Sequence, residues 1–175
     1  KVKKKLFFIR KETTILTAAR LSFEKDIITI LKAVKIIKNN FIKLVVVGDG
    51  VEKMKLKEYI KNNKLTKKVK FLGQKKNIIK YLKSSDLFVN SSFFEGFPNS
   101  VVEALNYNVP VIATHSDGGI YDIIKYGRKN SLYAPKNHYI LAKKIEFFHN
   151  NKLKFNKKIL KNKKNFNEFT LKNSS

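Results

Sequence analysis

Residues 86–107 read DLFVNSSFFEGFPNSVVEALNY and combine the sequence patterns of a strand, a turn and a helix. The short apolar run 86–89 has the character of a buried strand, and Pro98 followed by Ser100 marks the start of a helix. The stretch is therefore predicted to form one strand, one loop and one helix. Glu95 falls in the loop and Glu103 in the first turns of the helix, with seven residues between them.

The same alternation of apolar runs and helical periods extends in both directions along the chain. It predicts an α/β fold with a doubly wound, parallel sheet of six strands, because short apolar strands suit a sheet that is covered on both faces. The predicted strands are 13–19, 43–47, 68–72, 86–89, 110–113 and 131–133. The predicted helices are 26–38, 51–62, 77–83, 100–107, 119–125 and 137–148.

In such a sheet ligands bind beyond the carboxyl ends of the strands, so the loops after the first five strands are expected to form a site. The amides of Asn99, Ser100 and Val101 open a helix there, and free amides at a helix start bind anions such as phosphate. Glu95 and Glu103 would accept hydrogen bonds from hydroxyl groups on either side of that phosphate.

Each carboxylate also has a plainer interpretation. Ser100 and Glu103 have the spacing of a capping box, in which the glutamate only caps the helix. Glu95 could be an exposed loop acid without a ligand. The spacing by itself leaves both alternatives open.

Two further loops favour an anionic ligand. Arg20 follows the first strand with Lys25 five residues later, and an arginine can bind two phosphate oxygens at once. Gly118 and Gly119 follow the fifth strand and permit close approach of the backbone to phosphate or sugar, although such a pair is often just a turn. The chain has neither a GxGxxG motif nor a P-loop, which argues against dinucleotide oxidoreductases and NTPases.

The chain has 175 residues with 38 basic and 13 acidic side chains, for a net charge of +25. Only three of the basic residues are arginines, the residue type that base and phosphate recognition favours, so specific nucleic-acid binding is not expected. An anionic membrane surface is a better candidate partner for the lysines. There is no cysteine, and the sequence shows neither a signal peptide nor a membrane span, so a cytoplasmic location is expected.

Together these motifs resemble the C-terminal, donor-binding domain of a retaining GT-B glycosyltransferase of the group 1, or family 4, type. The resemblance runs from about Thr13 to Leu141. It rests on five segments: ARLSFEKD, KLVVVGDG, VKFLG, DLFVNSSFFEGFPNSVVEALNYNVPVIAT and DGGIYDII.

The resemblance implies a role for each candidate residue. Glu103 would hold the ribose hydroxyls of the nucleotide, and Glu95 the hydroxyls of the transferred hexose or N-acetylhexosamine. Arg20 and Lys25 would neutralise the departing diphosphate. The remaining implied contacts are the amides of Asn99, Ser100 and Val101 to the diphosphate, Gly118 and Gly119 beside sugar and phosphate, and the segment ending at Gly73 beside the base.

The resemblance also implies the partners. The donor would be a nucleotide diphosphate sugar, with UDP favoured over GDP, and neither a cofactor nor a metal would be required. The acceptor would be a glycan or a lipid-linked glycan at the inner face of the plasma membrane, in bacterial surface polysaccharide or glycoconjugate biosynthesis.

The expected domain organisation is an interdomain connection at 1–12, a nucleotide-sugar-binding domain at 13–149 and a C-terminal amphipathic helix or basic tail at 150–175. A preceding acceptor domain is implied, to which no part of this sequence corresponds, and the isolated domain is expected to be inactive. A sugar-nucleotide epimerase, a non-catalytic subunit and a basic nucleic-acid-binding module remain alternatives.

Overall fold

A computed structural model describes residues 12–116, 119–156 and 162. Strands alternate with helices along this part of the chain. The strands are β1 (Thr13–Ala18), β2 (Ile42–Val47), β3 (Val69–Phe71), β4 (Leu87–Asn90), β5 (Val111–Thr114) and β6 (Leu132–Tyr133). The helices are α1 (Ile27–Ile36), α2 (Lys53–Asn62), α3 (Ile79–Ser84), α4 (Asn99–Asn106), α5 (Ile120–Ile123), α6 (Arg128–Ser131) and α7 (His138–Asn150).

All six strands form one parallel sheet in the order β3-β2-β1-β4-β5-β6. The predicted α/β fold with a doubly wound sheet is therefore confirmed. The strand order reverses between β1 and β4, and the loops after these strands separate there to leave a crevice at the carboxyl edge. The loop after β1 carries Arg20 and Lys25, and the loop after β4 carries Glu95.

Helices cover both faces of the sheet. Along β4 the side chains alternate, so that Leu87 and Val89 join the core under α1, α2 and α7 while Phe88 joins the core under α3, α4 and α5. The predicted apolar face of α1 is buried and includes Ile27 and Leu31. Burial on both sides explains why the strands read as nearly continuous apolar runs.

The element boundaries differ from the predicted ones by at most two residues, which is the usual uncertainty of helix ends. Two elements were not predicted. Phe23–Lys25 forms a 3-10 turn ahead of α1, and α6 forms a single turn before β6. Both are too short to show a helical period in the sequence.

The loop after β2 packs directly on the loop after β1. Leu21 N donates to Asp49 O at 2.8 Å, and Glu52 N donates to Leu21 O at 2.9 Å. This approach requires glycine at two positions. A Cβ at Gly48 would overlap the Ala19 carbonyl oxygen, and a Cβ at Gly50 would lie 2.5 Å from Leu21 O. Both glycines have positive φ, 144° and 154°.

Part of the segment after residue 150 packs on this domain. Residues 152–156 are helical, and Phe155 is buried against Phe148 with ring centroids 5.1 Å apart. Asn162 is also buried and exchanges two hydrogen bonds with the backbone of Tyr126, at 2.7 and 2.9 Å. The rest of the predicted tail, like residues 1–11, lies outside the described residues, and the domain limits stay predictions.

No helix in the described ranges combines the length and apolar character needed to cross a bilayer.

His149 joins three elements at the amino edge of the sheet. Its Nδ1 lies 2.7 Å from Thr13 Oγ1, and its Nε2 lies 3.0 Å from Asn39 Nδ2. Asn39 Oδ1 accepts a hydrogen bond from Phe41 N, which leaves the amide NH₂ to face His149. We therefore assign Nε2 as the acceptor and Nδ1 as the protonated nitrogen.

Acid is expected to destabilise the fold through His149. Burial, then the charge of Lys152, lowers the pKa of this imidazole, with Asp86 and Glu146 acting in the opposite direction. A histidine whose folded pKa is lowered stabilises the protein above its unfolded pKa of about 6.5, and this contribution is lost as the pH falls below that value. Urea unfolding at about pH 7.5 and about pH 5.5 should show a smaller pH-dependent loss for His149→Gln than for wild type. An equal loss in both proteins would contradict the assignment.

Candidate functional site

A cleft of about 500 Å³ opens at the carboxyl edge, beside the point where the strand order reverses. It lies between the loops after β1, β2 and β3 on one side and the first turns of α4 on the other. Its size and its mixture of apolar and polar walls suit a small-molecule ligand. The lining residues are Ala18, Ala19, Arg20, Val47, Gly48, Asp49, Gln74, Lys75, Ile78, Asn99, Ser100 and Glu103.

Glu103 does not cap its helix. The N-cap of α4 is Pro98, no described side chain caps the helix, and Ser100 is already the second helical residue. The capping-box alternative is therefore wrong. The carboxylate is exposed on the cleft wall and has no hydrogen-bond partner among the described side chains. It is free to accept hydrogen bonds from a ligand.

The amides at the start of α4 are less available than predicted. Asn99 N donates to Phe97 O at 2.9 Å, and Val101 N donates to Pro98 O at 2.9 Å. The expectation of three free amides is wrong for these two, because the turn at Pro98 supplies its own acceptors. Ser100 N has no backbone acceptor in the part of the chain described, and Ser100 lines the cleft. One free amide of the predicted three therefore remains.

Arg20 lies on the cleft wall and is exposed. Its loop is held by the Leu21 hydrogen bond to Asp49 described above. The Glu24 carboxylate lies near enough to interact with the Arg20 charge. The pKa of Glu24 is lowered mainly by a hydrogen bond from Ser22 Oγ, 2.5 Å away, and to a smaller extent by Arg20. Arg20 forms no ion pair within the described ranges, so its guanidinium is available to an anion.

Lys25 and Glu95, which are 70 positions apart in sequence, form an ion pair. Lys25 Nζ lies 2.8 Å from Glu95 Oε1, and the two side chains are only 18% and 15% exposed. Glu95 is therefore not the exposed loop acid of the plainer interpretation. Neither residue is among the described lining residues of the cleft. The pair forms a second polar centre at the same edge of the sheet.

Of the three glycines predicted to border the ligand, Gly73, Gly118 and Gly119, the two that the structure describes do not line the cleft. Gly73 has a φ of 69° and its carbonyl accepts a hydrogen bond from Gly48 N at 2.9 Å. The next two residues, Gln74 and Lys75, line the cleft, whereas Gly73 itself does not. Gly119 precedes α5 and lies beside Phe97 and Pro98. Gly118 lies outside the described residues.

A second cavity, of about 790 Å³, lies on the other side of Glu103. Glu103 and Ile78 belong to the walls of both spaces, so the carboxylate stands between them. The other lining residues are Lys76, Asn77, Ile79, Asn106 and Tyr107. Among the described residues, no three His, Asp or Glu side chains are grouped so that they could hold a metal ion.

Several residues of the site were not predicted. Gly48 and Gly50 hold two loops together, and their only signal was a pair of glycines at a strand end. Asp49, Gln74 and Lys75 line the cleft as loop residues without a motif.

Relatives with assigned reactions match a large part of this chain. A Campylobacter jejuni protein named as an α-1,4-N-acetyl-D-galactosaminyltransferase acting on a diphospho-undecaprenol-linked glycan is 31% identical over 158 residues. The amylovoran biosynthesis glycosyltransferase AmsD of Erwinia amylovora is 36% identical over 118 residues. The matches cover 88% and 67% of this chain but 43% and 34% of those proteins. The chain thus spans less than half the length of these relatives.

Solved structures share the fold. TarM of S. aureus, crystallised as a variant with fondaparinux, α-GlcNAc-glycerol and UDP, superposes with a TM-score of 0.85 at 26% identity, over 90% of this chain and 32% of that chain. The catalytic domain of cholesterol-α-glucosyltransferase from Helicobacter pylori superposes with a TM-score of 0.76 over 89% of this chain and 99% of that chain. Because the sequence identity to the Helicobacter pylori structure is only 24%, this similarity shows the fold alone.

The sequence also matches the family described as "Glycosyl transferases group 1" over residues 1–166. With the doubly wound sheet and the GT-B neighbours, this match confirms the resemblance. The chain belongs to the group 1 glycosyltransferases and has an α/β, Rossmann-like fold shared with GT-B glycosyltransferases.

Proposed function

We propose that this chain binds the donor of a retaining glycosyltransferase that transfers a hexose or N-acetylhexosamine from a nucleotide diphosphate sugar, with UDP favoured over GDP. The proposal rests on the residues that line the cleft wall. Arg20, Ser100 and Glu103 share one cleft, where a cation and a free amide suit a diphosphate and an unpartnered carboxylate suits ribose hydroxyls. Glu95 and Lys25 lie at the same edge of the sheet and would meet the sugar.

The proposed chemistry needs positive charge at the leaving group. Breaking the bond between sugar and diphosphate develops negative charge on the departing oxygen. Arg20 and Lys25 stabilise that charge best if they are in place before it forms. The ion pair with Glu95 holds Lys25 in such a fixed position. Glu95 in turn accepts hydrogen bonds from the hydroxyls of the hexose.

The acceptor and the remainder of the enzyme belong to the same proposal. The names of the Campylobacter relative and of an Escherichia coli galactosyltransferase, 33% identical over 123 residues, specify undecaprenol-linked glycans. We propose a glycan or lipid-linked acceptor in surface polysaccharide or glycoconjugate biosynthesis, at the cytoplasmic face of an anionic membrane that attracts the lysines. A second domain would supply the acceptor side, so the chain alone should transfer little or no sugar.

Replacing Arg20 tests the donor site. We expect Arg20→Ala to weaken UDP binding by about 10- to 100-fold, because a charge-assisted hydrogen bond to phosphate contributes roughly 1.5–3 kcal/mol. Binding of UMP should fall less, since UMP lacks the second phosphate. Isothermal titration of UDP, GDP, ADP and UMP measures both effects.

Lys143→Ala is the matched control. Lys143 is an exposed lysine on α7, so its replacement removes the same charge away from the cleft. Failure of wild type to bind any of these nucleotides would refute the donor site.

Chelation of divalent metal is expected to leave UDP binding unchanged, because Arg20 and Lys25 supply the positive charge that a metal would otherwise provide. The titration is repeated in EDTA and in Mn²⁺. A tenfold gain of affinity in Mn²⁺ would show that these side chains are not sufficient.

A further inference from the structure

We infer that Asn90 is a positioning residue for Glu95, so that this amide sets how tightly the sugar of the donor is held. The inference rests on the proposed role of Glu95 in binding the hexose. Asn90 is the last residue of β4, five positions before Glu95, and its side chain is almost completely buried.

The orientation of the Asn90 amide follows from its hydrogen bonds. Its Oδ1 accepts from Ser92 N at 3.0 Å, which directs the NH₂ group towards Glu95. Asn90 Nδ2 then donates to Glu95 Oε2 at 3.3 Å. The opposite orientation would place two N–H groups together at Ser92 and two oxygens together at Glu95, so it is excluded.

The two oxygens of Glu95 consequently have different partners. Lys25 Nζ binds Oε1 and Asn90 Nδ2 binds Oε2. An ionised carboxylate offers about four acceptor positions, so roughly two remain for hydroxyl groups of a ligand. Because both oxygens are held, the carboxylate plane cannot rotate freely, and the remaining positions point in fixed directions.

Residues that follow Asn90 hold the backbone at Lys25 in place. Ser91 Oγ donates to Lys25 O at 2.6 Å, and Phe93 N donates to Glu24 O at 3.1 Å. These bonds attach the loop after β4 to the loop after β1. The end of β4 therefore controls both members of the ion pair, Lys25 through its backbone and Glu95 through its carboxylate.

An amide is an unusual choice at this position for stability alone. All four residues of β4 are buried, a setting in which strands usually carry apolar side chains. Burial of an amide is unfavourable unless it is hydrogen-bonded, and here one of its two side-chain contacts is to the proposed sugar-binding carboxylate. The hydrogen bond to Glu95, rather than packing in the core, therefore explains an asparagine at this position.

The test compares four proteins by titration: wild type, Asn90→Asp, Glu95→Gln and Thr114→Val. Each is titrated with UDP and with four sugar donors, namely UDP-glucose, UDP-galactose, UDP-N-acetylglucosamine and UDP-N-acetylgalactosamine. Asn90→Asp keeps the oxygen that Ser92 needs and turns a second oxygen towards Glu95. Thr114→Val is the control, because Thr114 Oγ1 donates to Ser92 O in the same buried network without touching Glu95.

We expect Asn90→Asp to weaken binding of the preferred UDP-sugar at least about tenfold while UDP binding changes less than about twofold. Glu95→Gln should show the same selective loss and Thr114→Val should not. If Glu95→Gln binds the sugar donors as wild type does, the sugar-binding role of Glu95 fails and the inference with it. If Glu95→Gln shows the loss but Asn90→Asp does not, only the inference is overturned. An equal loss for UDP and UDP-sugar in Asn90→Asp would show a structural role and also overturn it.

Discussion

Gly48→Ala is expected to lower the free energy of unfolding by about 3 kcal/mol or more, among the largest effects of a single methyl group in this chain. The new Cβ would overlap the Ala19 carbonyl oxygen and lie 3.1 Å from its carbon, and neither backbone atom can move without separating the loops after β1 and β2. The positive φ of 144° adds strain for any residue with a side chain. Urea unfolding measures the change.

Gly96→Ala is the matched control for Gly48→Ala. Gly96 has no atom within 4 Å of an added Cβ, so its replacement should change stability by less than about 0.5 kcal/mol. Gly50→Ala should resemble Gly48→Ala, since its Cβ would lie 2.5 Å from Leu21 O. Equal stability of Gly48→Ala and Gly96→Ala would show that the two loops are not packed as described.

Glu103→Ala is expected to weaken UDP binding by about 10- to 100-fold, because it removes charge-assisted hydrogen bonds to the ribose worth roughly 1.5–3 kcal/mol. The fold should be unaffected, since Glu103 is exposed and neither caps its helix nor binds another described side chain. Isothermal titration measures the loss. Glu58→Ala, an exposed glutamate on α2, is the control for the change in net charge.

A modified ligand shows whether this loss comes from the ribose hydroxyls. Wild type should bind 2′,3′-dideoxy-UDP more weakly than UDP by about the same factor that Glu103→Ala loses for UDP. The variant should hardly distinguish the two ligands, because the hydroxyls have lost their partner. If the variant still prefers UDP by the wild-type factor, Glu103 does not contact the ribose.

The sequence was sufficient to predict the sheet and the edge at which the site lies. Buried strands carry a strong signal, and parallel strands bring the ends of β1 and β4 to one edge whatever the details of the loops. Arg20, Ser100 and Glu103 could therefore be assigned to one region. The reversal of strand order between β1 and β4 is consistent with that assignment.

Contacts between loops could not be predicted. The Lys25–Glu95 ion pair depends on the path of two loops, which Ser91 and Phe93 fix by hydrogen bonds to backbone carbonyls that have no sequence signal. The amides of Asn99 and Val101 were expected to be free, but the turn at Pro98 provides acceptors for both. In each case the hydrogen bonds depend on local backbone angles, which hydrophobic periodicity does not report.

We propose that a nucleotide diphosphate sugar occupies the cleft between Arg20 and Glu103, with its sugar at Glu95. Diffraction from crystals soaked with UDP-sugar tests it most directly. We expect density for the ribose hydroxyls at the Glu103 carboxylate, for the diphosphate between Arg20 and Ser100 N, and for the hexose beside the Lys25–Glu95 pair. Density for the nucleotide in the second cavity, beside Tyr107, with Arg20 and Glu95 without ligand, would contradict it.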